Sequence, residues 1–301
     1  MLDKNKIAQD YQQIQQDIVD SITQLDGGAQ FEEDHWERPG GGGGRSKVLL
    51  NGNLIEKGGV NFSAVYGKLP DAIKKAFKTD QEDFFATGVS IVLHPHNPWV
   101  PIIHMNIRYF EMQSGDQTLQ WFGGGIDVTP HYVIASDAQY FHQHLKDVCG
   151  AFNPDFYPKF KTWADDYFFI KHRNETRGIG GIFYDRLTPN NTDLNWEGIF
   201  DFSKAIGNSF VPIYTALATA NREKHFTLEE KQWQLQRRSR YAEFNLVYDS
   251  GTKFGLETEG RIESILMSMP PTASWVYDYK ALPGSKEAET LSLLKKGIDW
   301  V

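Results

Sequence analysis

The chain has 301 residues, of which 40% are hydrophobic and 14% aromatic, so it is long enough to bury a sizeable core. A formal net charge of -8 argues against a nucleic-acid partner, because such partners require a basic surface. The single cysteine, Cys149, allows no intrachain disulfide. The first residues are polar and lack the apolar core of a signal peptide, and no apolar stretch is long enough to span a bilayer. We therefore expect a soluble cytoplasmic protein.

The first part of the chain predicts one helix followed by antiparallel strands. Apolar residues near the start recur at three- and four-residue steps, which indicates an amphipathic helix ending near Gly27-Gly28. Residues 31–66 are typical of strands, with Asn51-Gly52 as a hairpin turn. Within this region, Gly40–Gly44 is expected to be a flexible loop or a mobile lid over a site. It is not a Walker loop, because no lysine directly follows its last glycine.

The later elements alternate between strands and helices. Strands are expected at residues 86–94, 101–112, 118–124, 177–187 and 244–249. Helices are expected at residues 70–77, 136–149, 158–172, 196–221 and 258–271, and from residues 227 and 285. Capping boxes are predicted at Ser136 and Thr227, and Pro212 is expected to kink or break its helix. Since no composition break marks a linker, the pattern favours a single α+β domain over residues 1–301, with a large antiparallel sheet covered by helices.

The most informative stretch runs from Ser90 to Pro130. Its central strand alternates between a polar face with Ile102, His104, Asn106 and Arg108 and an apolar face with Ile103, Met105, Ile107 and Tyr109. Buried unpaired donors are costly, so we expect the polar face to meet water or a ligand. The next strand ends in Gly123-Gly124-Gly125, two residues before Asp127. Glycines there would let a flat ligand or another backbone approach that carboxylate closely.

The histidines and arginines leave more than one interpretation open. Seven of the nine histidines lie between His94 and His172, which suggests a metal site. There is however no HExxH, and a single histidine is more often a hydrogen-bonded structural residue. Arg108 and Arg261 are candidates for gripping a carboxylate of an anionic ligand, although each could be an ordinary surface or ion-paired arginine.

Several long and irregular stretches resemble the oxygen-dependent coproporphyrinogen III oxidase family. They are GGGGRSKV with EKGGVNFS, GVSIVLHPHNPWVP, HMNIRYFE, WFGGGIDVTP, DDYFFIKHRNETRGIGGIFYD and GRIESILMSMPP, and they extend over about residues 31–280. The resemblance implies that two propionate side chains of coproporphyrinogen III are decarboxylated to vinyl groups, giving protoporphyrinogen IX. Molecular oxygen is the implied co-substrate, without flavin, heme or nicotinamide. A large flat sheet between layers of helices and a homodimer are implied as well.

Carried over residue by residue, the resemblance also implies a site. The implied substrate contacts are Ser90, Asn106, Ile107, Arg108, Asp127, Glu259, Gly260 and Arg261. The implied catalytic residues are His104 as proton donor, Asp127 as acceptor of pyrrole N–H groups, and Arg108. A divalent metal, disputed within the family, would be held by His94, His104, His142 and His172. Glu259 stands where the family usually has a small residue, so a backbone contact is favoured there.

Two other functions remain open on the sequence alone. A metal-dependent oxygenase or hydrolase would use the histidines, whereas a tetrapyrrole carrier would keep the cleft without the chemistry. The apolar segment at residues 262–271 is expected to form the dimer interface, with burial in the core as the alternative.

Overall fold

The computed structural model of the protein describes residues 2–28, 30–69, 71, 74–75, 79–115, 117–257 and 260–301. Glu259 lies outside these residues, and so does most of the helix predicted at residues 70–77. Within the described part, one large antiparallel sheet is combined with helices, which confirms the α+β prediction. No helix in that part is both long and apolar enough to cross a membrane.

The elements are numbered in chain order. The helices are α1 (Lys4–Asp26), α2 (Ala135–Gly150), α3 (Phe156–Tyr167), α4 (Trp196–Asn221), α5 (Leu228–Val247), α6 (Ser250–Glu257), α7 (Ile262–Leu266) and α8 (Lys286–Leu293). The strands are β1 (Glu32–Glu37), β2 (Gly42–Leu50), β3 (Ile55–Lys68), β4 (Asp83–Pro95), β5 (Ile102–Ser114), β6 (Gln117–Thr129), β7 (Phe169–Ile170), β8 (Glu175–Thr176) and β9 (Gly181–Leu187). The seven-stranded sheet has the order β1-β2-β3-β4-β5-β6-β9, and β7 pairs with β8 separately.

One face of the sheet forms the main core. The four apolar residues of β5 that were predicted to share a face are fully buried: Ile103, Met105, Ile107 and Tyr109. Helices α1 and α4 pack on this side, and a Cβ at Gly207 of α4 would lie 2.9 Å from Ile107 and 3.1 Å from Ile14 of α1. Glycine at this crossing therefore lets both helices approach the sheet closely. The opposite face, which carries His104, Asn106 and Arg108, is called the polar face below.

Most helix ends follow the sequence signals. Helix α1 ends at Gly27, which has a left-handed φ of 73°, and α5 begins with the predicted capping box of Thr227 and Glu230. Helix α4 spans its predicted range and continues through Pro212, so of the two predicted effects the break is wrong and the kink stays a prediction. The capping box at Ser136 is also wrong, because the N-cap of α2 is Ile134 and Ser136 lies in the first turn.

Three other predictions are wrong for reasons of packing. Residues 244–247 continue α5 instead of forming a strand, since Phe244 packs against Phe168 within an aromatic cluster. The helix predicted at 158–172 ends at Tyr167, where β7 begins. Gly42–Gly44 belong to β2, so this part of the predicted loop or lid is paired strand. A Cβ at Gly44 would lie 2.5 Å from the carbonyl of Phe62, so glycine is required by close approach of neighbouring strands.

Candidate active site

The polar face brings together most of the residues that the sequence singled out. Residues directly opposite each other in antiparallel strands share a face of the sheet. Three rows cross β4, β5 and β6: Val92–His104–Asp127, Ser90–Asn106–Gly125 and Gly88–Arg108–Gly123. The predicted Ser90, His104, Asn106, Arg108 and Asp127 are therefore near neighbours on this face. Ile107 points the other way into the core, so its side chain cannot contact a ligand there.

Asp127 and His104 form a tight pair on the polar face. His104 Nδ1 lies 2.7 Å from Asp127 Oδ1, and Arg177 Nη2 donates to both carboxylate oxygens at 2.9 and 2.8 Å. Burial alone would raise the pKa of Asp127, but the Arg177 guanidinium and the His104 hydrogen bond outweigh burial and hold that pKa below its ordinary value. Asp127 is thus an anion that keeps a proton on His104 Nδ1. The free imidazole atom is Nε2, which has no partner among the described residues.

Arg177 completes this cluster, and the sequence analysis did not single it out. Its side chain is only 2% exposed, and its guanidinium carbon lies 4.5, 4.6 and 4.7 Å from the ring centroids of Phe168, Tyr241 and Phe244. Nη1 donates to Asn245 at 2.6 Å. Aromatic faces stabilise a desolvated cation, so this cage fixes the guanidinium against Asp127. The available signal was an arginine at the start of the motif RGIGGIFYD.

The role of Asp127 as direct acceptor of several pyrrole N–H groups stays a prediction, and its present contacts leave little of the carboxylate open to a ligand. Its side chain is only 1% exposed, and hydrogen bonds from His104 and Arg177 occupy three of about four acceptor positions of a carboxylate. His104, whose side chain is 22% exposed, is the member of the pair that can touch a ligand.

Arg108 is partly exposed to solvent and forms hydrogen bonds with two side chains of the same chain. Nη1 donates to Asn106 Oδ1 at 2.9 Å and Nη2 donates to Asp185 Oδ1 at 2.8 Å. The two charged side chains are 36% and 32% exposed. A guanidinium carries five N–H groups, so Arg108 retains donors for a ligand carboxylate. Asp185 is a second site residue that the sequence analysis missed.

The three glycines before Asp127 let other parts of the chain come close. A Cβ at Gly123 would lie 2.6 Å from Asp185 Oδ1, and one at Gly124 would lie 2.6 Å from the carbonyl of Asn106. A Cβ at Gly125 would lie 2.6 Å from the carbonyl of Ile182. The alternative that the glycines allow another backbone to approach is therefore confirmed at Gly124 and Gly125, and close approach of a flat ligand stays a prediction.

Arg261 borders the same face at the other end. It is the N-cap residue of α7 and forms an ion pair with Asp34 of β1. Asp34 begins a row across five strands, which continues through Ser46, Asn61, Ser90 and Asn106. At a strand spacing of about 4.8 Å, this row is about 19 Å long. Asn61 Nδ2 donates to the carbonyl of Ser264 at 3.1 Å, so α7 lies over this end of the row. The amide of Gly260 donates to the carbonyl of Gly255.

The four histidines of the predicted metal site do not converge. His94 bonds the carbonyl of Ser268, His104 bonds Asp127, His142 bonds Tyr157 and Ile179, and His172 bonds Tyr248 and Glu243. No group of three or more potential ligands that could hold a metal occurs in the described part of the chain. The donor set therefore does not fit a metal, and the prediction of this site from four histidines is wrong.

The buried histidines predict a pH dependence of stability. Burial lowers the pKa of His142 from 6.5 to about 4. The unfolded chain thus binds a proton more readily than the folded one, and the stabilisation is fully present above pH 6.5 and lost as the pH falls towards 4. Between pH 4 and 6.5, His142 should make the free energy of unfolding rise by about 1.4 kcal/mol per pH unit. We expect His142→Gln to abolish this contribution, as measured by denaturant unfolding at several pH values. The exposed His225→Gln is the control, and an unchanged slope in His142→Gln would contradict the prediction.

Comparisons with known proteins extend over nearly the whole chain. The family profile described as "Coproporphyrinogen III oxidase" matches residues 6–300. The chain is 47% identical over 299 residues to coproporphyrinogen-III oxidase 1, chloroplastic, of Arabidopsis thaliana, covering 95% of this chain and 76% of the relative. It is 48% identical over 299 residues to the oxygen-dependent chloroplastic enzyme of Glycine max, covering 95% and 77%. It is 45% identical over 311 residues to the oxygen-dependent coproporphyrinogen-III oxidase of Prochlorococcus marinus strain NATL1A, covering 96% and 88%.

Proposed function

Because the chain belongs to the coproporphyrinogen III oxidase family, we infer that it is an oxygen-dependent oxidoreductase of porphyrin and heme biosynthesis. It converts coproporphyrinogen III to protoporphyrinogen IX by decarboxylating two propionate side chains to vinyl groups. For each propionate, one oxygen molecule and one proton are consumed, and one carbon dioxide and one hydrogen peroxide are released when oxygen takes two electrons. The similarity over nearly the whole chain carries this conclusion.

Substrate binding is proposed to use the polar face. The four propionates make the substrate anionic, and Arg108 offers charge-assisted hydrogen bonds near the Asp127–His104 pair. The hydroxyl of Ser90 and the amide of Asn106 lie in one row beside Arg108. The Ser90 hydroxyl has no hydrogen-bond partner in the described part of the chain, so it is free to bind a ligand. Gly260 and Arg261 are proposed to bound the site beside α7.

His104 is proposed to be the group that works on the substrate. With Nδ1 held by Asp127, Nε2 can accept a hydrogen bond from a pyrrole N–H, which makes the ring richer in electrons and easier for oxygen to oxidise. The ionised Asp127 stabilises positive charge on the imidazole when His104 takes up a proton. That proton can then pass to the reduced oxygen. The electrons come from the substrate, so the proposal requires no flavin, heme or nicotinamide.

A single-turnover experiment tests this function. The anaerobic protein is mixed with coproporphyrinogen III and then exposed to oxygen, while carbon dioxide and the vinyl product are followed. We expect both products only after oxygen is added. Tight binding without any product would instead indicate a tetrapyrrole carrier. Product formation that stops on chelation and depends on a stoichiometric metal would favour a metal-dependent oxygenase.

The charge of Arg108 is predicted to matter for affinity more than for folding. Arg108→Ala removes a charge-assisted hydrogen bond to a substrate carboxylate, and we expect a loss of about 1.5–3 kcal/mol in binding. The Arg108 and Asp185 side chains are 36% and 32% exposed, so their pair is partly screened by water and thermal unfolding should change little. Binding is measured by titrating coproporphyrinogen III under nitrogen. Normal affinity, or failure to fold, would remove Arg108 from the proposed substrate site.

A homodimer is proposed on a different surface from the one the sequence suggested. Within residues 262–271, Met267 is 7% exposed and Ile262 is 57% exposed, so that segment lies partly in the core and partly at the surface. The next segment instead exposes Trp275, Val276, Tyr277 and Leu282 at 57%, 51%, 98% and 76%. A cluster of exposed apolar side chains is typical of an interface.

The dimer is expected to appear as twice the chain mass in light scattering at micromolar concentration. Tyr277→Asp should shift the protein to monomer, because an interface does not tolerate an unpaired charge. Leu119→Asp, at a side chain that is 49% exposed on β6, is the control. If light scattering shows that the unmodified protein is a monomer at this concentration, the proposed dimer is rejected.

The location of the protein is proposed to be cytoplasmic. The single cysteine, Cys149, is buried and free, which suits a reducing compartment. Two of the plant relatives carry "chloroplastic" in their names, so cell fractionation with an antibody against the chain is the direct test.

A further inference from the structure

Both arginines that border the polar face are paired with an aspartate of the same chain. Arg108 is paired with Asp185, and Arg261 is paired with Asp34. All four side chains are between 28% and 50% exposed, so solvent and a ligand can reach them. Each aspartate presents to its arginine the same chemical group that a propionate would present.

The local backbone is built to bring Asp185 to Arg108. In the pairing of β6 with β9, two residues of β9, Asp185 and Arg186, stand opposite the single Gly123 of β6. Arg186 has a positive φ of 51°, as expected for a β-bulge. Bulges redirect side chains, and here Asp185 reaches across β6 to a residue of β5. Gly123 makes this possible, because a Cβ there would lie 2.6 Å from Asp185 Oδ1 and 2.8 Å from Arg108 Nε.

The second pair is independent of the first. Asp34 lies on β1, four strands away from the strand of Arg108, and Arg261 comes from the N-terminus of α7. Arg261 Nη1 is buried and has no acceptor among the described residues, so this guanidinium keeps an unused donor. Asp34 therefore begins the row that crosses the polar face, and Arg108 donates to Asn106 at the other end of that row.

We propose that Asp185 and Asp34 are internal competitors for the two arginine sites that bind substrate carboxylates, and so set the affinity and selectivity of the site. This inference rests on the proposed function for the identity of the ligand. A propionate that binds Arg108 must share the guanidinium with Asp185 or displace it. A ligand with too few carboxylates to bind both arginines cannot replace both Arg–Asp pairs. Such a ligand therefore binds more weakly than one that reaches both arginines. Loss of a propionate during the reaction lets the aspartate pair with its arginine again, which favours product release.

The test measures binding of coproporphyrin III, the oxidised tetracarboxylate that does not undergo the reaction, by fluorescence titration. Asp185→Asn keeps the shape of the side chain but removes its charge, and we expect roughly two- to tenfold tighter binding. Asp34→Asn should act in the same direction, and the two effects should add, because the sites share no partner. Asp201→Asn is the matched control, since it changes the net charge equally on α4, which packs on the other face of the sheet.

The direction of the effect separates the proposal from a structural role. If Asp185 only holds Arg108 in place, Asp185→Asn loosens the guanidinium and weakens binding. Weaker or unchanged binding by Asp185→Asn therefore overturns the proposal, and so does equal tightening by Asp201→Asn. Turnover of coproporphyrinogen III by the unmodified protein is assayed separately. Absence of turnover would reject the proposed function while leaving the comparison of carboxylate binding valid.

Discussion

Replacing Asp127 by asparagine is expected to lower turnover about a hundredfold to a thousandfold, as removal of one well-placed electrostatic group does. Asparagine keeps the size of the side chain but offers one acceptor atom where the carboxylate offers two. In the structure, His104 Nδ1 and Arg177 both donate to this group. The amide nitrogen cannot accept from either, so the proton on His104 is no longer fixed at Nδ1. Nε2 then ceases to be a reliable acceptor for the substrate.

The same change should also destabilise the protein. Arg177 is buried, and its charge would lose its only anionic partner among the described residues. Breaking a buried pair in this way typically costs about 3–5 kcal/mol, so the variant must be assayed well below its unfolding temperature. Asp165→Asn is the control, because Asp165 is buried and paired with Lys161 away from the polar face. It should lower stability with turnover retained. Near-normal turnover in folded Asp127→Asn would remove the Asp127–His104 pair from the mechanism.

The parts of the fold and site that the sequence predicted correctly depend on local patterns. The alternation along β5 placed His104, Asn106 and Arg108 on one face, because side chains of a strand alternate strictly. The capping box at Thr227 and the end of α1 at Gly27 were predicted correctly because a few adjacent residues determine a helix cap.

The parts that were missed depend on contacts between distant residues. Arg177 reaches Asp127 across 50 positions, and Asp185 reaches Arg108 across 77. The bulge that directs Asp185 exists only in the pairing of β9 with β6, so no periodic pattern reveals it. The four-histidine metal site, which the family resemblance implied, fails because these histidines do not meet in space. His94 and His142 lie within the same histidine-rich half, but their partners belong to different parts of the fold.

Replacing Arg177 by methionine should also destabilise the protein strongly, by a loss of about 3–5 kcal/mol in the free energy of unfolding. Methionine fits an aromatic cage but leaves the Asp127 carboxylate buried without its guanidinium partner. Arg173→Met is the control, because Arg173 is 37% exposed and Glu243 keeps His172, Arg240 and Trp275 as hydrogen-bond partners. The Glu243 carboxylate is therefore not left unpaired, so the control should lose much less stability than Arg177→Met.

The pH dependence of unfolding tests the Arg177→Met prediction more sharply than the loss of unfolding free energy at a single pH. In the unmodified protein the pKa of Asp127 lies below its ordinary value, so its stabilising effect is present above that value and is lost as the pH falls. Without Arg177, burial should raise this pKa, so that stability falls instead as the pH rises above about 4. The double variant Arg177→Met/Asp127→Asn removes both charges and should recover much of the loss. A double variant no more stable than Arg177→Met would show that the aromatic cage, and not the ion pair, is what Arg177 supports.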